Sequence, residues 1–525
     1  MTLALLAFGI NIWFSWGVTI DDAYISARYA VHLFDGNGAT FNPGERVEGF
    51  SNPTWVFVTG LFHRLFSHLE MYTVGRLAGL ASSLLTGAII VILWRSERLH
   101  PFACAIVLVT LASMPQIGFW TTAGLETTFY TLLLVSSMFL LARPDRTASA
   151  SSAVLSGLAS LSRPEGIAFA GLNTLLTLLT PPFFKVKKAI VYCGIVLAIA
   201  VPYLILRINY YESFLPNTFL AKSGGSQNFW RGLNYIIQNP TIPGALIAIL
   251  AITSILYAKK NLVIRIFLSA AITQIAFIIW AGGDWMPVGR FTVPLTVFLS
   301  ITAAYPLSAL MTYFEQRKTK PFCLGVTLLM VLTILSLQIL QSIKQHNEYF
   351  WRIAHGLDSR VVLGQWIDSY SPKSIKIAYG DMGALPFYSN RYFMDFHGLV
   401  DREIGEIIYK NKFSDRKLLM VDESIIRRKP DVVILINNQG TPFGPDFIPD
   451  EYGSPAIVKE LNSRYKYVGN LLAYPKDAVR SYPEGRALMI FTRDESNLPG
   501  IAEFLKCAND STANYMPPAQ CLRHK

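Results

Sequence analysis

The sequence predicts a polytopic α-helical membrane protein of about 11 transmembrane helices, followed by a C-terminal extracytoplasmic α/β domain. Three observations predict it. Of 525 residues, 52% are hydrophobic and only 15% are charged, against about 25% charged in an ordinary soluble domain. Short basic clusters recur between apolar runs: Arg95 and Arg98; Arg143 and Arg146; Lys185, Lys187 and Lys188; Lys259, Lys260 and Arg265; Arg317, Lys318 and Lys320. After residue 341 the long apolar runs stop, and short strand-like and helix-like segments alternate. The net charge of +11 thus marks cytoplasmic loops by the positive-inside rule, not a nucleic-acid surface.

The apolar runs place spans near 1–19, 72–94, 101–119, 124–142, 149–161, 166–184, 189–206, 241–258, 266–281, 291–313 and 322–341. With the N-terminus inside, this order puts all five basic clusters in the cytoplasm and the C-terminus outside. The run 149–161 falls short of the roughly 20 residues a crossing needs, so it is expected to tilt or re-enter. The apolar stretch 54–69, broken by His63, Arg64 and His68, is expected to lie in the outer interface. The N-terminal run has neither a basic leader nor a small-residue cleavage site and reads as an uncleaved first helix. Residues 1–341 then form the membrane domain, with a first external loop at about 20–71.

Residues 342–525 form the second domain. "SIKIAYGD", "RYFMDF", "DVVILIN", "YKYVGNLLAY" and "RALMIFTRD" read as strands, being rich in β-branched and aromatic residues. "SDRKLLMVDESIIRRK" opens on Ser and Asp and ends basic, as a helix does. Cys104, Cys193 and Cys323 lie inside spans and are expected to be free. Cys507 and Cys521 fall in the polar tail, on the oxidising side, and are candidates for a bridge whose geometry the spacing does not give. The cysteines and histidines show no metal-ligand spacing.

Chemistry concentrates at one membrane face. Asp21 and Asp22 follow the first apolar helix directly, where a carboxylate beside hydrocarbon is costly. On a helix starting there, Asp21, Tyr24 and Arg28 fall at i, i+3 and i+7 and share a face. The plainer alternative makes the two acids an N-cap and a first-turn residue. Glu48 lies later in the same loop, Glu126 opens the fourth span, and "SRPEG" supplies Arg163 and Glu165. Asn217 and Lys222 follow the seventh span, and "GGDWMPVGRF" supplies Asp284 and Arg290. Each group alone fits a capped turn or a structural ion pair; five outer loops together fit a concave polar site.

The stretch "DDAYISARYA…GNGATFNPGERVEGFSNP" resembles the signature of GT-C class membrane glycosyltransferases, closest to the bacterial terminal β-arabinofuranosyltransferase-like group. "GLETTFY", "SRPEG", "LPNTFLAK", "GGDWMPVGRF" and "DMGALPFYSNRYFMDFHGLVDREIG" resemble further blocks of that group in the same order, from about residue 20 to about 405. The resemblance implies transfer of a sugar from a polyprenyl-phosphate donor to an acceptor on the outer face of the bacterial inner membrane. The acceptor would be an envelope glycan, a lipid or a protein. It also implies that the acidic pair, Asp21 and Asp22 here, is the catalytic motif. The lipid phosphate is already a leaving group, so one general base suffices and direct displacement inverts the anomeric carbon. Asp21 is favoured as that base; Asp22 would orient the acceptor or help hold a divalent cation, whose need is left open. Arg28, Lys222 and Arg290 are candidate phosphate cations, and Tyr24 and Trp285 candidate sugar-stacking rings. A transporter or flippase for a lipid-linked sugar is the alternative, but it would tend to show repeats and midplane charges; the chain shows neither.

Overall fold

A computed structural model describes the chain except for 180–185, 223–227, 239–241, 438–454, 475–485, 514–520, 523–525, most of 317–355, and residues 18, 144, 287, 412, 413 and 415. It is a helical membrane protein with a small sheet region near its C-terminus. Helices occupy Thr2–Ser15, Met71–Ser96, Pro101–Ser113, Thr127–Leu141, Arg146–Ser160, Gly166–Leu179, Val186–Tyr211, Ile242–Thr253, Leu262–Ala281 and Thr292–Gln316. They lie in order at the positions of the first ten expected runs, and four of them, Met71–Ser96, Val186–Tyr211, Leu262–Ala281 and Thr292–Gln316, are long and apolar enough to cross a membrane by themselves; the run 322–341 lies largely outside the described residues.

Two expectations change. The third span is broken: Pro101–Ser113 and Pro115–Thr122 meet at 55°, because Pro115 has no N–H to continue the ladder and pushes Met114 into an extended conformation. The short span is longer than expected, Arg146–Ser160, since Asp145 caps it through a hydrogen bond from Ala148 N–H (2.6 Å). Burial sorts the helices. The hydrophobic part of Thr292–Gln316 is 78% buried and lies centrally, whereas that of Val186–Tyr211 is 11% buried and faces outward.

Polar side chains join four of these helices. The Tyr192 hydroxyl meets Ser152 Oγ (3.0 Å) and Ser156 Oγ (2.7 Å), Ser137 Oγ meets Ser156 Oγ (2.7 Å), and Asn173 Nδ2 donates to Ser137 and Ser156. Between apolar helices lipid offers no competing partner, so small polar residues act as interhelical links. The expected interfacial helix is Pro53–Leu65. It buries Trp55, Val56, Thr59 and Gly60 and exposes Phe57, Leu61, Phe62 and Leu65.

The sheet holds five strands: β1 (Lys376–Tyr379), β2 (Tyr392–Asp395), β3 (Val432–Asn437), β4 (Lys466–Tyr474) and β5 (Arg486–Thr492). Their order is β2-β1-β3-β5-β4, with β1 parallel to β2 and β3, and β5 antiparallel to β3 and β4. All five lie where strands were expected. The sheet is covered on both faces, which explains its near-continuous apolar strands. On one face Ile377, Val432, Ile434 and Ile490 pack with Leu363 and Trp366 of Gly356–Tyr370 and Phe504 of Ile501–Ala513. On the other, Ala378, Val433 and Phe491 pack with Ile404, Ile425 and Leu461. Cys507 and Cys521 are bridged, Cys104 and Cys193 are free, and Cys323 lies outside the described residues.

The first of these cores does not stop at the sheet. Ile25, Tyr29, Phe41 and Phe50 of the first loop belong to the same buried cluster. Asn42 completes the join: its Nδ2 donates to Phe393 O (2.8 Å) and its Oδ1 accepts from Phe393 N–H (3.0 Å). One side chain thereby satisfies both backbone groups of a residue on the edge strand β2. The sheet region is seated on the first loop, and the acidic pair lies at that seam.

Candidate active site

The first-loop helix runs Ala23–Phe34, so Asp21 lies just outside it and Asp22 holds the N-cap position. Neither acid caps the helix in the usual way. Asp22 makes no side-chain cap bond, and Asp21 Oδ1 instead accepts from Ala384 N–H, at 2.9 Å, in the turn after β1. That approach needs a glycine at 383, because a Cβ there would collide with both the carbonyl and the carboxylate of Asp21.

Beside Asp21 stand Arg360, Asp381 and Tyr379. Arg360 donates through Nε to the Tyr379 hydroxyl (3.0 Å) and through Nη2 to Asp381 Oδ2. Arg360 and Tyr379 are buried, while Asp21, Asp22 and Asp381 are half-buried and form the rim. Burial pushes Asp21 up to about 7, with Arg360 pulling down, Asp381 pushing up, the Ala384 N–H pulling down and Asp22 pushing up. A carboxylate poised near neutrality suits proton transfer at physiological pH.

The expected face of Asp21, Tyr24 and Arg28 exists, and all of it meets residues 384–391. Tyr24 packs against Tyr72, Phe387 and Tyr388 at ring separations of 5.3–5.5 Å. Arg28 is buried and donates to three carbonyls: Phe41 O (2.8 Å), Pro386 O and Arg391 O (2.7 Å). Its guanidinium serves as a strut between loop and sheet region.

The remaining expected residues fall into two more groups. Glu126 accepts from Arg163 Nη1 (2.7 Å) and from Asn52 Nδ2 (2.8 Å), and Asn52 in turn accepts from Ser26 of the first-loop helix (3.1 Å). Arg163 also binds Glu165 through Nε. Arg290 pairs with Asp284 at 2.6 Å. The guanidiniums of Arg163 and Arg290 lie 5.1 and 5.3 Å from the centroid of one ring, Phe291. Three separate loops therefore meet there. Glu48 pairs with Arg207 (2.6 Å) and accepts from the Tyr203 hydroxyl (2.6 Å). Asn217 donates to Gly398 O (2.6 Å) and Asp401 O (3.0 Å). It holds a turn that Asp395 fixes by accepting N–H bonds from His397, Leu399 and Val400. Glu48, Asn217 and Arg28 thus belong to the seam rather than to the rim of Asp21. The Lys222 side chain lies outside the described residues, and Trp285 is 70% exposed.

Sequence reasoning missed Arg360, Tyr379, Asp381 and Asn52. A signal existed for two of them, since Tyr379 and Asp381 lie in and after the expected strand "SIKIAYGD". Among the described residues no three His, Cys, Asp or Glu side chains converge closely enough to hold a metal ion.

With this geometry in view, the chain can be set against known proteins. Residues 350–491 match a family model described only as a domain of unknown function, DUF8728. A structure of ArnT from Cupriavidus metallidurans bound to undecaprenyl phosphate superimposes with a TM-score of 0.55 at 14% identity, covering 95% of this chain and 98% of that one. The chain has the GT-C fold. Two curated relatives are each named terminal beta-(1->2)-arabinofuranosyltransferase. The one from Mycobacterium tuberculosis is 28% identical over 258 residues, covering 45% of this chain and 40% of its own length. The one from Corynebacterium glutamicum is 27% identical over 363 residues, covering 58% and 51%. The matches thus span about half the length of these relatives, to which this chain is similar.

Proposed function

We propose that the chain is a membrane glycosyltransferase that moves a sugar from a polyprenyl-phosphate donor to an envelope glycan, lipid or protein acceptor, by direct inverting displacement. The observation that carries this reading is Asp21. Its carboxylate follows the first apolar helix by six residues and is held by Ala384 N–H at a half-open rim. The GT-C fold and the names of the relatives support it.

In the reaction the acceptor hydroxyl gives its proton to the Asp21 carboxylate as its oxygen attacks the anomeric carbon. The new C–O bond forms opposite the bond to phosphate, which breaks and leaves its electron pair on the polyprenyl phosphate. Asp22 orients the acceptor. Developing charge on the phosphate is met by Arg290 and Lys222, and Asp284 holds the Arg290 guanidinium in place until the donor arrives. Tyr24, buried in its ring cluster, shapes one wall.

The reading has eleven spans. Residues 1–341 form the membrane domain, and residues 342–525 and the site face the periplasm or cell exterior. Two experiments test it. The product's anomeric configuration, read by NMR of transferred sugar, should be opposite to the donor's; retention would refute direct displacement. A C-terminal fusion to a reporter active only in the cytoplasm should be silent, and strong signal would invert the topology. A polyprenyl-phosphate arabinofuranose is the first donor to try, on the strength of the relatives' names.

A further inference from the structure

We infer that Asp381, at the carboxyl end of β1, binds the acceptor sugar, and that the C-terminal α/β region therefore selects the acceptor in this transferase. The inference rests on the transferase reading above and goes beyond it by giving a second region of the chain a hand in the reaction.

The sheet topology is the first support. From β1 the chain passes to β2 on one side and later to β3 on the other, both parallel to β1. In such sheets ligands lie in the crevice outside the carboxyl ends of the strands, where the order reverses. Gly380, Asp381 and Gly383 follow Tyr379, the last residue of β1, and so occupy that crevice. The same edge presents Ala384 N–H to Asp21. The crevice of the sheet and the acidic motif of the membrane region are one site.

Side-chain chemistry is the second support. Asp381 is 23% exposed at its side chain, with Arg360 behind it at 9%. Arg360 also engages the buried Tyr379 hydroxyl at 3.0 Å, so the carboxylate is fixed before any ligand binds. Phe387 and Tyr388, both half-buried, continue from the same turn and offer ring surface beside the carboxylates. A fixed carboxylate next to ring faces is the complement of a sugar, whose hydroxyls donate while its C–H face packs on aromatics. Position decides between donor and acceptor. The donor's lipid belongs to the bilayer, whereas Asp381 is carried by the region packed on the first loop, which the reading above places outside the membrane. In this arrangement Asp381 accepts from one acceptor hydroxyl and presents a neighbouring one to Asp21. Arg360 acts through Asp381 and is a positioning residue. Asp22, beside Asp21, adds a further negative charge to the site.

The test is steady-state kinetics on the full-length protein in proteoliposomes. Decaprenyl-phosphate arabinofuranose is the donor and a synthetic octyl arabinofuranoside the acceptor, each varied at saturating levels of the other. Asp381→Asn keeps shape and loses charge. It should raise KM for the acceptor about 10- to 100-fold, as expected for one lost charge-assisted hydrogen bond, with KM for the donor within about twofold. Arg360→Lys should shift the acceptor KM in the same direction by less, again sparing the donor. A rise confined to the donor KM, or a fall in kcat with both KM values unchanged, overturns the inference. Asp381 sits at the rim, so Asp381→Asn remains informative if the buried Arg360 variant fails to fold. No transfer by the wild-type protein would sink the transferase reading itself, and the inference with it.

Discussion

Asp21→Asn separates a carboxylate kept for chemistry from one kept for structure, because the two make opposite predictions about stability. In the folded protein Asp21 is pushed from an ordinary 3.8 up to about 7, chiefly by burial. A carboxyl group that holds its proton more tightly folded than unfolded favours the fold only while protonated. Its contribution is complete below about pH 4, falls as pH rises, and is lost once pH passes about 7. Each unit of difference corresponds to about 1.4 kcal/mol, so ionised Asp21 destabilises the fold by on the order of 2–4 kcal/mol at pH 8. Asn has the same shape, keeps an oxygen for Ala384 N–H and never ionises. Relative to wild type, Asp21→Asn should therefore gain stability between pH 5 and pH 8, with a Tm higher by a few degrees at the upper end. Intrinsic tryptophan fluorescence during thermal unfolding of detergent-solubilised protein reads this, with both proteins scanned at one rate. Parallel curves, with the variant no more stable at pH 8 than at pH 5, would refute the claim that Asp21 is held there against its own electrostatics.

Other expectations follow from the same geometry. The rate at limiting substrate, kcat/KM, should rise with pH through about 7 and then level off, because only ionised Asp21 accepts a proton; a profile flat from pH 5.5 to 8 would contradict the assignment. Gly383→Ala should cost about 1–3 kcal/mol and depress transfer roughly 100-fold by displacing Asp21, since backbone on one side of the collision cannot rotate away; a normal rate would mean that the approach is not needed. Tyr192→Phe should lower thermal stability by about 0.6–1.7 kcal/mol and leave KM unchanged, because its hydroxyl bonds to serines of neighbouring helices that have no part in the site. Reduction of the Cys507–Cys521 bridge, which closes a separation of 14 residues, should destabilise the C-terminal region by about 3 kcal/mol, seen as earlier proteolysis there.

Most of the fold was legible because its signals are local. Ten apolar runs became helices in order, and five β-branched segments became the five strands. The bend at Met114–Pro115 was missed although Pro115 announces it; hydropathy summed over a window is blind to a missing N–H. The site was legible in part. Asp21, Tyr24 and Arg28 share a face as helical spacing requires, yet that face meets residues 384–391, more than 350 positions away. Spacing within one helix carries no information about such a partner. A cation at a membrane boundary needs electron-rich neighbours, but the sequence does not say whether they are phosphate oxygens or backbone carbonyls. For Arg28 they are carbonyls; Asn217, expected to bind substrate, likewise bonds to carbonyls. Asp381 went unselected for the converse reason: as a lone acid after a strand it looks like a turn residue until the fold places it beside Asp21.

The central claim is that Asp21 removes the acceptor proton in a glycosyl transfer. Its most direct measurement is the initial rate of sugar transfer from a polyprenyl-phosphate donor in proteoliposomes carrying equal amounts of wild type, Asp21→Asn or Asp22→Asn. General base catalysis contributes roughly 10²–10⁴-fold, so Asp21→Asn should lose that much in rate while its amount holds and its thermal stability is no lower than that of wild type. Asp22→Asn should lose affinity for the acceptor more than it loses rate. Near-normal transfer by Asp21→Asn, in a preparation where wild type is active, would contradict the account.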